Sequence, residues 1–209
     1  MPHLGWVLLL SLNGRADTSK NCFNFGHKIT QTLRAPVSDL GAVDHVLSGE
    51  FSDPEHEGQH WAAVRGRVPA PISDVFAFIV NPETTRGRQV DEMEVKKFAT
   101  TDPLYLQHYD IHSVVKPFFF LTIEWDMEWG VSLVGGTVGD PKSILASYEK
   151  VRGTSHIPHL CGDILITSVD PKSTDVYLYE EVQATGRSEK DTTNGLLGTL
   201  KTLREKLKK

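Results

Sequence analysis

The sequence is poor in cysteine, in excess positive charge and in long apolar runs, and each shortage excludes a class of protein. Two cysteines, Cys22 and Cys161, are too few for a disulfide framework, and a single bridge between them would require export. The formal net charge of −5 argues against nucleic acid as a partner, because such binders need a concentrated basic surface. No run of apolar residues is long enough to span a bilayer.

Familiar catalytic and metal-binding motifs are missing as well. There is no G-x-S-x-G, no P-loop and no dinucleotide fingerprint, so the sequence predicts no catalytic residue and no cofactor. The segment His156-x-x-His159-x-Cys161 fits no standard zinc spacing and has no evident fourth ligand. His108 and His112 lie on one face of a predicted strand but about 13 Å apart, too far to share a metal. We therefore expect no metal site.

The N-terminal residues support two interpretations. Leu4 to Leu12 is an apolar run of signal-peptide length, and Gly14 and Ala16 supply a small-x-small cleavage pattern. No Lys or Arg precedes the run, which favours a packed strand or helix instead. Residues 1–16 are thus an export signal or a packed segment, and the protein is periplasmic or secreted in the first case and cytoplasmic in the second.

The most informative pattern is an alternation of apolar and polar residues from Phe119 to Leu133. A period of two predicts a strand with one buried and one solvated face, and this strand is about three times the usual length. Its apolar set includes Ile123, Trp125, Met127 and Trp129. The interleaved acids Glu124, Asp126 and Glu128 are expected to face solvent.

The remaining patterns predict an ordered series of strands closed by a long helix. The predicted strands are 61–68, 90–98, 105–115, 119–133, 143–151, 162–169 and 175–183, and the predicted helices are 36–49, 72–79 and 189–208. Gly135 to Pro141 is predicted to be a loop. Gly195 and Gly198 weaken the last helix by roughly 0.5–1 kcal/mol each, which predicts close approach of a strand or a ligand there. Short turns between the strands favour an antiparallel sheet.

This order resembles the helix-grip fold of the START-like superfamily, which includes Bet v 1-like proteins and polyketide cyclases. The resemblance rests on the segment from Val68 to Glu83 (VPAPISDVFAFIVNPE), on Lys116-Pro-Phe-Phe119 before the long strand, and on the Leu-rich C-terminal helix. It implies an α+β domain over residues 60–209, in which a curved antiparallel sheet wraps around a long C-terminal helix. Residues 17–59 would form an extension carrying the short helix.

The resemblance also implies an apolar cavity between the sheet and the C-terminal helix. The residues expected to contact a ligand there are Ile123, Trp125, Met127, Trp129, Tyr148, Leu178, Glu180, Leu196, Leu200 and Leu203. The START-type Arg that follows the K-P motif is absent, so its buried salt bridge is not carried over. Glu180 shares a face with Val176, Leu178 and Val182, and either lies in the cavity or reaches solvent where the strand ends.

These patterns favour binding and transfer of a hydrophobic small molecule, a lipid or sterol, by a monomer. One alternative is an enzyme of the polyketide cyclase or aromatase kind on the same fold, and another is an interaction module whose core is filled by its own side chains. The basic residues Lys201, Arg204, Lys206, Lys208 and Lys209 complement the dipole of the last helix or make transient contact with a membrane. Exchange of ligand would use the loops at 133–141 and 154–160.

Overall fold

The computed structural model describes residues 21–33, 45–52, 54–85, 90–98 and 105–208. The strands are β1 (His45–Glu50), β2 (His60–Val68), β3 (Glu92–Lys97), β4 (Gln107–Phe118), β5 (Leu121–Thr137), β6 (Asp140–Gly153), β7 (His159–Asp170) and β8 (Ser173–Gln183). The helices are α1 (Ile72–Ile79), α2 (Pro82–Thr85) and α3 (Glu189–Leu207), and one 3-10 turn spans Pro54–His56. None of the described helices is long and apolar enough to cross a membrane.

The eight described strands form one antiparallel sheet in the order β1-β2-β8-β7-β6-β5-β4-β3. Among them, only β2 and β8 are neighbours from distant parts of the chain, because β2 leads through α1 and α2 to the opposite edge of the sheet. The helix α3 returns to lie on the inner face of the curved sheet. The expected α+β helix-grip fold is confirmed.

Small side chains on β2 decide where α3 packs. The inner face of β2 carries Ala62 and Val64, both fully buried, and then Gly66, which is also buried. Leu200 and Leu203 of α3 are almost completely buried against this part of the molecule. The helix contacts chiefly β2, with further contacts to β8, β1 and α1. It therefore covers one half of the inner face.

The start of α3 is defined by a capping box. The Ser188 hydroxyl accepts the backbone N–H of Asp191, and the Asp191 carboxylate accepts the backbone N–H of Ser188. The predicted close approach of a strand at the two helix glycines is wrong, whereas approach of a ligand there stays a prediction. A side chain at Gly195 would meet only Arg187, at 3.7 Å, and one at Gly198 would meet nothing within 4 Å. Both glycines lie on the side of α3 that faces away from the sheet.

Three predicted element boundaries are corrected by the structure. Residues 45–49 of the predicted helix form the edge strand β1, whereas 36–44 lie outside the described residues. Phe119 and Phe120 form the tight turn before β5 instead of its first residues. The predicted loop at 135–141 is also wrong: β5 runs to Thr137 and turns through Val138 and Gly139 into β6. The glycines there suit an irregular strand end, since Gly136 has a φ of 85°.

A segment from Cys22 to Leu33 covers the outer, convex face of the sheet. A disulfide joins Cys22 to Cys161 on β7, and Phe23 is 7% exposed. The Tyr105 hydroxyl donates to the backbone carbonyl of Phe25, at 3.0 Å. At the far end of the segment, the backbone N–H of Leu33 donates to the carboxylate of a buried β7 residue, Asp163, at 2.7 Å.

The expectation that the acids of β5 face solvent is only partly correct. Glu124 is exposed, but Asp126 is 7% exposed and pairs with His112, with an Nδ1–Oδ1 distance of 2.6 Å, and with Arg152. Burial alone would raise the pKa of Asp126, yet the hydrogen bonds from His112 and Arg152 outweigh it and hold the pKa below its usual value. Glu128 pairs with His108 at 2.7 Å. Neighbouring basic side chains on the same face partly enclose these acids.

Candidate functional site

One row of the sheet register places four large or polar side chains across the middle of the inner face. Reading across β8, β7, β6, β5 and β4, the paired positions are Glu180, Gly162, Tyr148, Trp129 and Tyr109. The Trp129 ring stacks on Tyr148 at a centroid distance of 4.5 Å and on Tyr109 at 5.9 Å. Side chains on paired strands contact one another because their Cβ atoms are about 5 Å apart. We call these three rings the aromatic row.

A polar trio formed by Tyr148, Glu180 and Arg187 ends the row beside the first turn of α3. The Tyr148 hydroxyl donates to Glu180 Oε2 at 3.2 Å, and Arg187 Nη2 donates to Oε1 at 2.9 Å. Gly162 makes this geometry feasible, because a Cβ there would lie 2.4 Å from the Tyr148 hydroxyl oxygen. The ring of Tyr148 thus crosses β7 over a glycine to reach β8.

The carboxylate of Glu180, at the centre of the trio, is largely removed from water. Burial raises the pKa of Glu180, and the opposing effects of Arg187 and the Tyr148 hydroxyl reduce that rise. Burial, together with the Glu180 charge, also raises the pKa of Tyr148 well above its usual value. Tyr148 is therefore a hydrogen-bond donor at neutral pH. Arg187 also lines a surface groove of about 710 Å³ next to the start of α3, so the trio lies close to solvent.

The structure brings together most of the residues predicted to contact a ligand. Met127, Trp129, Tyr148, Leu178, Leu196, Leu200 and Leu203 belong to one buried cluster, and Trp125 packs against it. Glu180 lies at the edge of this cluster with 14% of its side chain exposed, so it is neither isolated in the core nor free in solvent. Ile123 is half-buried on the same face, nearer the start of β5. Their role in binding a ligand stays a prediction.

The helix α3 covers one part of this apolar inner face and leaves the other part half-buried. The leucines of α3 cover β2 and β8, whereas apolar side chains on β3 and β5 continue the inner face beyond the helix. These half-buried residues are Met93, Val95, Ile123, Trp125 and Leu133. The aromatic row lies between the two parts. An elongated apolar molecule could contact the half-buried part while the aromatic row and α3 form its floor.

Trp129 carries the one fully buried polar atom of the aromatic row that has no partner among the described residues. Its indole nitrogen is buried, and no described acceptor lies within hydrogen-bonding distance. A buried donor left unpaired costs about 1–3 kcal/mol, so such a group in an apolar face calls for an acceptor. The indole N–H could therefore orient a ligand that has a carbonyl or hydroxyl oxygen.

Sequence reasoning missed Arg187 and Gly162 as parts of this site. Arg187 precedes α3 in an irregular segment, where no periodicity assigns a side chain to a face. Gly162 becomes informative only when it is paired with Tyr148, and that pairing depends on strand register. Tyr109 was predictable as an amphipathic pocket candidate, together with Tyr148, Tyr177 and Tyr179, but the sequence could not rank these four tyrosines.

An aromatic hairpin tip lies at the same end of the sheet as the start of α3. Phe118, Phe119 and Phe120 connect β4 to β5 and are 60%, 102% and 73% exposed. The hairpin extends past β6, whose last paired residue, Gly153, lies opposite Trp125. Three adjacent exposed phenylalanines are unusual on a surface in contact with water, because rings that stay exposed contribute no burial free energy to folding. We call this feature the Phe tip.

No protein-family model matches the sequence, and no curated protein matches it either. Among solved structures, a STAR-related lipid transfer protein from Xanthomonas axonopodis superposes with a TM-score of 0.51 at 18% identity, covering 78% of this chain and 99% of that one. The lipid transfer and protein localization domain of human StarD13 superposes with a TM-score of 0.51 at 12% identity, covering 79% and 90%. A protein of Thermus thermophilus gives 0.50 at 14% identity, covering 69% and 94%.

At these identities the similarity establishes the fold. The chain has the START-like helix-grip fold, as the order of its elements predicted. Its similar structures include proteins described as lipid transfer domains.

Proposed function

We propose that the protein binds a lipid or sterol against the half-buried part of the inner face and exchanges it at a membrane surface. The observation that carries this proposal is the buried indole N–H of Trp129, which has no acceptor among the described residues and belongs to a residue of the apolar cluster. Removing apolar ligand surface from water contributes about 25 cal/mol per Å², and a few polar groups then determine orientation. The similarity to lipid transfer domains supports the same class of ligand.

Replacing Trp129 with Phe should weaken ligand binding five- to tenfold. The substitution keeps an aromatic ring against Tyr148 but removes the indole donor, and one hydrogen bond is worth about 1 kcal/mol. Ligand is first identified by native mass spectrometry and organic extraction of the purified protein. Affinity is then measured by displacement of a fluorescent fatty acid or sterol.

The matched control is Trp125→Phe, which makes the same chemical change on the same face of β5. Its affinity should fall by clearly less than that of Trp129→Phe, because Trp125 loses ring area in the proposed ligand surface but has no buried indole donor without a partner among the described residues. Equal weakening in both variants would show that ring size, and not the Trp129 donor, matters. A protein that carries no extractable lipid and takes up no fluorescent lipid would exclude the proposal and favour an interaction module with a self-filled core.

The polar trio supports an enzyme as the second candidate function. Tyr148 and Glu180 form a hydrogen-bonded pair at 3.2 Å inside the fold, which is the arrangement that an acid and base would need. Arg187 stabilises the carboxylate form, so Glu180 would act as the base and Tyr148 as the donor. Chemical change of an extracted or added ligand, abolished in Glu180→Gln, would favour this function over transfer.

The Phe tip is the proposed point of contact with a bilayer. Three inserted phenylalanine side chains would contribute several kcal/mol, at about 1.5–3 kcal/mol for each fully buried ring. The charges near the tip are mixed, since Lys116 pairs with Glu92 and Glu124 is exposed, so insertion should depend little on salt.

Replacing Phe118, Phe119 and Phe120 together with Ser should reduce binding to phosphatidylcholine vesicles at least tenfold. The three rings are exposed, so the change should leave folding intact. Vesicle co-sedimentation at low and high salt measures the effect. Val138→Ser at the opposite end of the sheet, where the side chain is 77% exposed, is the control and should bind as the wild type does. Binding that survives the triple substitution would contradict this role.

A further inference from the structure

Four side chains that bind metals in other proteins meet on the convex face, away from the aromatic row. His159 Nε2 lies 3.5 Å from the sulfur of Cys161, 3.7 Å from the sulfur of Cys22 and 3.6 Å from Glu181 Oε2. The Cys161 sulfur lies 3.8 Å from the same Glu181 oxygen, and all four atoms lie within 4.8 Å of one another. We call this group the Cys–His–Glu cluster.

Strand register explains how a sequence without a zinc spacing builds this group. His159 and Cys161 are alternate residues of β7 and therefore point to the same face. Glu181 on β8 is paired directly with Cys161. The fourth member, Cys22, comes from the covering segment, 139 residues away in sequence. The sequence shows no evident fourth ligand because Cys22 and Glu181 are both distant in sequence from His159 and Cys161.

The donor set and its spacing fit a tetrahedral zinc-class cation. Two thiolates, an imidazole and a carboxylate are all ligands that Zn²⁺ accepts, with bond lengths of about 2.0–2.3 Å. A tetrahedron with such bonds has ligand–ligand edges of roughly 3.4–3.8 Å. The distances among His159, Cys161 and Glu181 lie near that range, and the two sulfurs, joined in a disulfide, would have to separate.

The residues around the cluster orient its members as metal sites require. The Tyr179 hydroxyl donates to Glu181 Oε1 at 2.8 Å, so the other carboxylate oxygen faces His159 and Cys161. Glu149, paired with Cys161 from β6, accepts the backbone N–H of Phe23 at 2.8 Å, which positions the chain next to Cys22. Hydrogen bonds of this kind align ligands and raise metal affinity. Cys161 is fully buried, so the site would be largely closed to water.

We propose that the Cys–His–Glu cluster is a redox-controlled zinc-class metal site: a disulfide when oxidised, and a tetrahedral site for one cation when reduced. A dithiol reductant supplies two electrons and two protons, converting the Cys22–Cys161 bond into two thiols. Binding of Zn²⁺ then releases the two thiol protons, and the cation is held by both sulfurs, His159 Nε2 and Glu181 Oε2. In the reverse direction, exchange with an oxidised dithiol, which accepts the two electrons and takes up two protons, forms the Cys22–Cys161 disulfide again and expels the cation.

Either state ties the covering segment to β7, which explains why a potential metal site and a disulfide occupy one place. In an exported protein the disulfide would predominate, and in a reducing cytoplasm the metal form would. The reduced, metal-free protein would keep only hydrogen bonds such as those from Phe23 and Tyr105 to hold the segment. The cluster would therefore hold the covering segment in place in either compartment, by a disulfide after export and by a bound cation in the cytoplasm.

The test uses the full chain, reduced with a phosphine under argon, freed of reductant and titrated with Co²⁺ as a spectroscopic substitute for Zn²⁺. The expected result is one Co²⁺ per chain, with thiolate-to-cobalt charge-transfer absorption and intense tetrahedral ligand-field bands that Zn²⁺ abolishes. The oxidised protein should bind at least a hundredfold more weakly. Absence of these bands from the reduced protein, or equal binding by the oxidised protein, would overturn the proposal.

Single substitutions separate a four-ligand site from two thiols acting alone. His159→Gln and Glu181→Gln should each weaken binding at least tenfold, whereas His156→Ala, close in sequence but outside the cluster, should bind as the wild type does. Formation of the disulfide in air, checked by mass, shows that a variant still assembles the cluster. If both cluster variants regain the disulfide and bind Co²⁺ with wild-type affinity, the assignment of His159 and Glu181 is refuted.

Discussion

Reduction of the Cys22–Cys161 disulfide in the presence of a metal chelator should lower the free energy of unfolding by about 3–5 kcal/mol. The bridge closes a loop with a sequence separation of 139 residues, so it removes part of the conformational entropy of the unfolded chain. For a loop of this length the chain-entropy estimate is about 5 kcal/mol, and measured values are often smaller. The chelator matters, because a cation bound to the reduced cluster would restore part of the stability.

Denaturation in guanidinium chloride, with and without reductant, measures this difference. Cys22→Ala is the matched variant, because Cys22 is only partly buried and its loss leaves Cys161 in the core. The variant should be less stable than the oxidised wild type by a similar amount and should not respond to reductant. An unchanged midpoint on reduction of the wild type would show that the cross-link contributes nothing to stability.

The inner face was predictable because its strands alternate without interruption over many residues. Met127, Trp129 and Leu178 were assigned to one face by period two, and the register places them there. The same rule assigned Glu180 to that face, but it could not supply Arg187, which comes from an irregular segment. Periodicity identifies which side of a strand a residue occupies, and only the register identifies its partner on the next strand.

The convex face was predicted less well for a different reason. Polar residues on alternate positions were taken to face solvent, which holds only when nothing covers that side of the sheet. Here Cys22 to Leu33 cover it, although this segment has no hydrophobic period. The signals available were single residues, such as Phe23 and Phe25, whose partners lie more than 70 residues away. A pattern within one strand carries no information about such a covering segment.

Two neighbouring rows of paired residues across the sheet thus place their side chains on opposite faces. The inner row runs through Glu180, Tyr148 and Trp129, and the outer row, one residue along each strand, runs through Glu181, Cys161 and Glu149. The proposed ligand and the proposed metal therefore lie on the two sides of the same strands. A substitution that alters strand register would disturb both, whereas side-chain changes in one row leave the other intact.

Replacing Asp163 with Asn should stabilise the protein at pH 8 by about 2–4 kcal/mol. Asp163 lies on the convex side of β7 with 0% exposure, and its Oδ1 has no partner among the described residues. Burial raises the pKa of Asp163 to about 7; the N–H of Leu33 opposes this rise, and the charge of Glu181 adds to it. At pH 8 the folded protein must therefore hold a buried, incompletely satisfied carboxylate, which Asn avoids.

The sign of the pH dependence follows from the two pKa values. Between the unfolded value of 3.8 and the folded value of about 7, the folded state keeps a proton that the unfolded state has lost. The stability supplied by this group is complete below pH 3.8 and is lost as the pH rises towards 7. About three units at 1.36 kcal/mol each amount to roughly 4 kcal/mol. The amide donors of Asn, newly buried, account for the lower end of the expected gain.

Unfolding curves of wild type and Asp163→Asn between pH 4 and pH 8 test this expectation. The difference between the two should be small or negative at pH 4 and should grow to its full value by pH 8. Asp140→Asn, where the side chain is 72% exposed, is the control and should show no such growth. If Asp163→Asn differs from the wild type by a constant amount at every pH, then Asp163 titrates alike in both states. Its burial would then carry no electrostatic cost, and the hydrogen bond from Leu33 would suffice to hold the charge.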